Sequence, residues 1–248
     1  MPFAHLAALL LALLASCVSS VVPYTGGALS GVINDDVTVG SGFGVVSIDG
    51  ATITGSLIIT SLDPGATAIK FIGVLTGVSL TFTNVVASST SSGAMDLPDM
   101  NGALLVVSGG TYSSGGNTVI NFPGTISATS RVSIGGGVTV SAAVVAGNAV
   151  RFNSAIPFPV SIGPGTFSSH AASAIAFVGD VTSTVSITDA VVSSGGVGFV
   201  LYVLTVTGGT LTISGGSYTA TTNTALVFDG AVSASSTINI GGENQRGV

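Results

Sequence analysis

The feature that most constrains this chain is a phrase that keeps returning. "VSGGTYSS" at 107–114, "VSIGPGTFSS" at 160–169 and "LTISGGSYTA" at 211–220 each set an aromatic residue, Tyr112, Phe167 and Tyr218, in a small, hydroxyl-rich setting. Ten residues after each stands another aromatic, Phe122, Phe177 and Phe228, closing the apolar tetrads "VINF", "AIAF" and "ALVF". A polar turn and a second strand-like run follow each tetrad, and Ile134, Ile187 and Ile240 in those runs are spaced by 53 residues. The tetrad also recurs between these copies, as "AIKF" ending at Phe71 and "AVRF" ending at Phe152. The series Phe71, Leu97, Phe122, Phe152, Phe177, Tyr202, Phe228 advances by 26, 25, 30, 25, 25 and 26 residues. The basic period is therefore near 25, with a five-residue insertion between Phe122 and Phe152.

Each period holds two or three runs that alternate apolar residues with Ser or Thr, such as "VSLTFT", "TVSIT" and "TINI". Such alternation puts one side chain inward and the next outward along a strand. Gly, Asn, Asp and Pro between the runs supply turns. A period of about 25 built from short strands is one coil of a solenoid. The expected fold is all-β, a right-handed parallel β-helix after an N-terminal signal helix. Equivalent residues of successive coils then stack about 4.8 Å apart. Phe71, Phe122, Phe152, Phe177, Tyr202 and Phe228 are expected to form an interior ladder. Tyr112, Phe167 and Tyr218 form a second, with surface exposure of the two tyrosines as the alternative. From about residue 25 onward there is room for roughly nine coils, about 40 Å of rod. A β-sandwich array is the alternative, because short strands with frequent turns suit it too. The ending "STINIGGENQRGV" stops inside a repeat without a capping helix, so the repeat domain, 21–248, is expected to be incomplete at its C-terminus.

Stacking also accounts for the composition. Charged residues are 6% of the chain, against about 25% in ordinary domains. A charge repeated on every rung repels itself, whereas Ser, Thr and Asn can hydrogen-bond up the stack. The four basic residues, Lys70, Arg131, Arg151 and Arg246, are scattered and cannot neutralise a phosphate track, which argues against a nucleic-acid partner. Cys17 is the only cysteine, so neither a disulfide framework nor a cysteine zinc site is available.

Residues 1–20, "MPFAHLAALLLALLASCVSS", read as a secretory signal peptide. The apolar run from Leu6 to Ala15 has the length of a signal core and is short for a membrane span. "LASC" at 14–17 has the form of a lipobox, and an uncleaved anchor is a further reading. The protein is expected to be secreted or held at the cell surface, with any membrane attachment through an anchor outside this chain.

Little in the sequence looks like chemistry. Glycoside hydrolysis needs two carboxylates across a cleft, and the acids here are dispersed among turns. In "MDLPDMNG", Asp96, Asp99 and Asn101 offer three oxygen donors within a few residues, a speculative binding loop of the kind calcium uses. A solvated turn around Pro98 explains the same residues. His170 in "TFSSHAAS" has no predictable partner. No cofactor and no catalytic residue is expected; a β-helix polysaccharide lyase or hydrolase is a minor alternative.

The leader "MPFAHLAALLLALLASC", followed by runs such as "SLTFTNVVASSTSSGAMDLPDMNGALLVVSGGTYSSGG", resembles the dispersed gene family surface proteins of trypanosomes, over essentially the whole chain. The resemblance implies a large cell-surface glycoprotein with β-helix repeats, C-terminal membrane helices and an adhesive role. This chain has no N-x-[ST] sequon and no C-terminal apolar segment of membrane length to carry two of those properties. The expected function is therefore adhesin-like, non-catalytic binding to host matrix proteins or glycans. A structural spacer and a nonfunctional gene fragment are the alternatives.

Overall fold

The computed structural model describes residues 67–143 and 147–241, together with the backbone of five short strands between 21 and 59. The signal segment at 1–20 lies outside the described residues. Among the described residues there is no helix, and the strand pairings are all parallel. The chain visits three stacked sheets in turn and returns to the first one rung higher. Face 1 has nine strands, from Ala28–Ile33 to Leu226–Phe228. Face 2 has seven, from Ser79–Thr83 to Thr237–Gly241. Face 3 has six, from Val86–Ser89 to Ser217–Ala220. Val21–Pro23, Asp36–Val39 and Leu57–Ile59 form a smaller sheet of their own. The protein is a parallel β-solenoid, and the sandwich alternative is excluded, since sandwiches are built from antiparallel strands. Nine rungs on face 1 span about 38 Å.

The repeat is written in the register. Ile69, Met95, Ile120, Val150, Ile175, Leu201 and Leu226 occupy one interior column of face 1, so successive coils take 25 or 26 residues apart from a single coil of 30. The five extra residues do not form one loop. Twelve residues lead from Ile120 to Val132, against ten from Met95 to Leu105. Eight lead from Val132 to Val140, against seven from Leu105 to Tyr112. Ten lead from Val140 to Val150, against eight from Tyr112 to Ile120. The insertion is shared among all three corners, which leaves every strand in register.

The core fills the triangular interior with three sets of columns. Phe71 and Leu97 are buried on face 1, and Phe122, Phe152 and Phe177 pair directly above them. The Phe152 ring lies 4.3 Å from that of Phe122 and 5.3 Å from that of Phe177, both stacked. On face 2, Phe82, Val107, Ile134, Ile162, Ile187, Ile213 and Ile240 form one column. On face 3 the column reads Ala87, Tyr112, Val140, Phe167, Val192, Tyr218. There a large side chain alternates with a small one. That alternation is the origin of the longer repeat: face 1 renews its aromatic on nearly every coil, face 3 on every second coil.

The corners follow the same economy. Where face 3 turns toward face 1, an inward serine holds the bend. Ser114 donates to the Ser92 carbonyl at 2.5 Å and accepts from the amides of Gly116 at 3.2 Å and Asn117 at 2.9 Å. Ser169 donates to the Gly147 carbonyl and accepts from the Ala172 amide, and Ser194 donates to the Gly198 carbonyl. These serines are buried, and they satisfy backbone groups that the turn would otherwise leave unpaired. Where face 2 turns toward face 3, the backbone enters the left-handed region at Asn84, Gly109, Gly136, Asp189 and Gly215. A Cβ on Gly109 or Gly215 would collide with the Asn84 or Asp189 side chain of the coil below, so the Asn/Asp-over-Gly pairing is fixed by both conformation and space.

Candidate binding faces

The solenoid's outward positions are where ligands must be sought, and the register sorts them into ladders. On face 3 the second outward column is Ser88, Ser113, Ser141, Ser168, Ser193 and Thr219, a hydroxyl on each of six successive rungs. Ser168 donates to Ser141 at 3.1 Å. Beside the last four of these residues the chain turns away through Ala143, His170, Gly195 and Thr221. The small side chains at Ala143 and Gly195 leave an open groove of about 340 Å³ that runs along the rod axis across four coils. Its lining is hydroxyls, alanine methyls and one imidazole, with no carboxylate, lysine or arginine. His170 is exposed on its rim.

Face 1 presents a different column: Lys70, Asp96, Asn121, Arg151, Ala176, Tyr202 and Val227. Its lower half is tied by hydrogen bonds. Asp96 accepts from Asn121 Nδ2 at 3.1 Å and from Thr67 Oγ1 at 3.2 Å, and Asn153 Nδ2 donates to Asn121 Oδ1 at 3.1 Å. Its upper half carries an aromatic pair. The Tyr202 and Phe199 rings stack 6.0 Å apart, and the Tyr202 hydroxyl donates to Asp229 Oδ2 at 2.9 Å. Partial burial, the Asp229 hydrogen bond and its charge all raise the Tyr202 phenol above its ordinary value.

Tyr202 is thus a correction to the expected interior ladder. Phe177 pairs with Val203, and Val203 with Phe228, so Val203 holds the interior place and Tyr202 points outward beside it. The tetrad on this coil is "VLYV", 200–203, whose third position is outward on every coil, as Lys70, Asn121 and Arg151 already are. The other ladder residues face inward: Phe71, Phe122, Phe152, Phe177, Tyr112 and Phe167 are buried, while Phe228 and Tyr218 are half-buried and pack against the core. Tyr112 and Tyr218 are not surface aromatics, and their hydroxyls are enclosed without a hydrogen-bond partner.

The loop of Asp96, Asp99 and Asn101 is not assembled as a ligand cage. Asp96 is held along face 1, whereas Asp99 accepts from the amide and hydroxyl of Thr125 on the next coil, at 2.6 and 3.1 Å. Asn101 is exposed and pairs with Thr76 in a short separate strand. Among the described residues no three His, Cys, Asp or Glu side chains gather where they could hold a metal ion, and no helix is long and apolar enough to cross a membrane. Asp180 accepts from Thr205 Oγ1 at 2.8 Å, and Asp189 occupies a left-handed turn, so each of these acids serves a corner. Comparison with protein-family models, curated proteins and solved structures finds no match to this chain.

Proposed function

We propose that this protein is a non-catalytic, adhesin-like rod of the cell surface or secreted space, and that its face 3 groove takes a neutral, extended glycan. One observation carries the reading: the groove runs continuously across four coils, about 14 Å along the axis, and is lined by hydroxyls without a fixed charge. A polyhydroxylated chain lying along the axis meets a donor or acceptor on each rung. Each such contact is exchanged against water and is weak alone, so binding strengthens as the ligand spans more rungs and as rods cluster. The dispersed acids, each engaged in a turn or ladder, support a binding rather than a hydrolytic role.

The test is a length series of neutral linear oligosaccharides titrated against the protein by NMR. Affinity is expected to rise with chain length until the groove is spanned and then level off. Gly195 has ordinary backbone geometry and lines the groove, so Gly195→Leu fills it and is expected to weaken binding at least tenfold with the melting temperature unchanged. No binding at any length, or equal binding by the leucine variant, overturns the assignment.

A further inference from the structure

The upper half of face 1 carries a second surface that the groove does not explain. Three rungs build it. Arg151 stands on the lowest, the small Ala176 on the next, and Tyr202 with its stacked partner Phe199 on the third. Arg151 is half-buried, and its Nε is shut off from solvent with no hydrogen-bond partner. A guanidinium is always charged and presents a planar fork of donors, so an unpaired one on a protein face is an unmet demand for a carboxylate or sulfate. The acids nearby do not meet it. Asp96 lies two rungs below, about 10 Å away along the stack, and is engaged by Thr67 and Asn121. Asp180 is four residues along the strand from Ala176, about 13 Å, and is engaged by Thr205. Asp229 lies three rungs above, about 14 Å, beyond a Debye length of about 10 Å at 0.1 M salt. An anion held at Arg151 is therefore attracted by one nearby charge and only weakly repelled by distant ones.

The aromatic pair supplies the other half. Outward positions on this column are otherwise polar or small up to Ala176, so a half-buried Tyr202 packed on Phe199 is an apolar platform set into a polar ladder. Its hydroxyl is pinned by Asp229, which fixes the ring's orientation before any ligand arrives. A ring stacked on an aromatic face with an acidic group one to two rungs away is the chemistry of an acidic sugar.

We infer that Arg151, Tyr202 and Phe199 form a binding site for a saccharide bearing a carboxylate or sulfate, its acidic group on the Arg151 guanidinium and its ring on Tyr202. The site is separate from the neutral groove on face 3, and the two are tested apart. The probe is a tetrasaccharide of alternating hexuronic acid and N-acetylhexosamine, set against its carboxyl-reduced neutral counterpart. The chain contains no tryptophan and four tyrosines, so tyrosine emission of the full protein reports stacking directly. The acidic probe is expected to quench that emission and to bind at least tenfold more tightly than the reduced one. Arg151→Gln is expected to lose at least tenfold, Arg151→Lys to retain part of the affinity because it keeps charge without the fork, and Tyr202→Ala to lose both binding and quenching. Gly195→Leu is expected to leave this binding unchanged. Equal binding of the reduced probe, or full affinity in Arg151→Gln, overturns the site; loss of the acidic probe in Gly195→Leu overturns its separation from face 3.

Discussion

Two interior ladders of the same rod solve the same packing problem in different ways. On face 1, Phe122, Phe152 and Phe177 stack ring on ring through three consecutive coils. On face 3, Tyr112 and Phe167 are separated by Val140, and Phe167 and Tyr218 by Val192. The rungs have the same spacing on both faces, so the difference lies in how far a side chain must reach. A stacked aromatic column occupies its own height fully and tolerates no gap. An alternating column lets each ring spread over the small residues above and below it. Protein interiors are close-packed, so neither scheme can be exchanged for the other without leaving a void or forcing an overlap.

The largest effect expected from breaking this comparison is at Phe152, the middle ring of the stack. Phe152→Ala leaves a cavity between two aromatic rings and is expected to destabilise the fold by about 3–5 kcal/mol, measured by chemical denaturation. Next is Val140→Phe, which would make face 3 resemble face 1 by setting three aromatics in a row. Overpacking there is expected to lower stability by about 1–3 kcal/mol, and unchanged stability would mean the alternation is incidental. Ser114→Ala tests the corner that lets both ladders recur. It removes the acceptor for two amides and the donor to the Ser92 carbonyl, with an expected loss of about 1–2 kcal/mol. Tyr112→Phe has the opposite sign. The Tyr112 hydroxyl is enclosed without a partner, and Phe167 already occupies the matching position two coils on, so the substitution is expected to stabilise by about 1 kcal/mol.

The smallest effect is in the pH dependence. Burial, with the charge of Asp189 as a second cause, pushes the Tyr218 phenol up from 10.0 to about 12, and burial pushes Tyr112 higher still. Above pH 10 the unfolded chain releases protons that the folded chain retains, so stability is full below pH 10 and declines as the pH rises toward 12. Denaturation midpoints between pH 9 and pH 12 are expected to fall in the native protein. They are expected to fall less in Tyr112→Phe/Tyr218→Phe, where only Tyr202, itself raised, remains among the described tyrosines.

The interior of the rod was largely legible in the chain because hydrophobic spacing and register report the same thing. The tetrads ending at Phe71, Phe122, Phe152, Phe177 and Phe228 align by eye and align in space. Tyr202 was misplaced because an aromatic is at home on either side of a strand, and a one-residue slip reverses the side it faces. Only the neighbouring coils, pairing Val203 with Phe177 and Phe228, settle its direction. The candidate sites were less legible. The groove depends on Ala143, His170, Gly195 and Thr221 lining up across coils 25 to 27 residues apart, and the face 1 patch on Arg151 and Tyr202 sharing a column. Neither arrangement leaves a local motif. Asp96, Asp99 and Asn101 show the converse, since closeness in sequence suggested a cage and the fold sends Asp96 and Asp99 to different partners.

The central claim is that each coil adds one rung to an in-register stack, and pulsed electron–electron resonance reads this directly. In a Cys17→Ser background, nitroxide labels are placed on Ser88 paired in turn with Ser168, Ser193 and Thr219, which stand three, four and five rungs away on the outer surface of face 3. The account predicts three single distances that lengthen by about 4.8 Å per coil. Distances that fail to increase with coil number, or broad distributions spanning several registers, would contradict it.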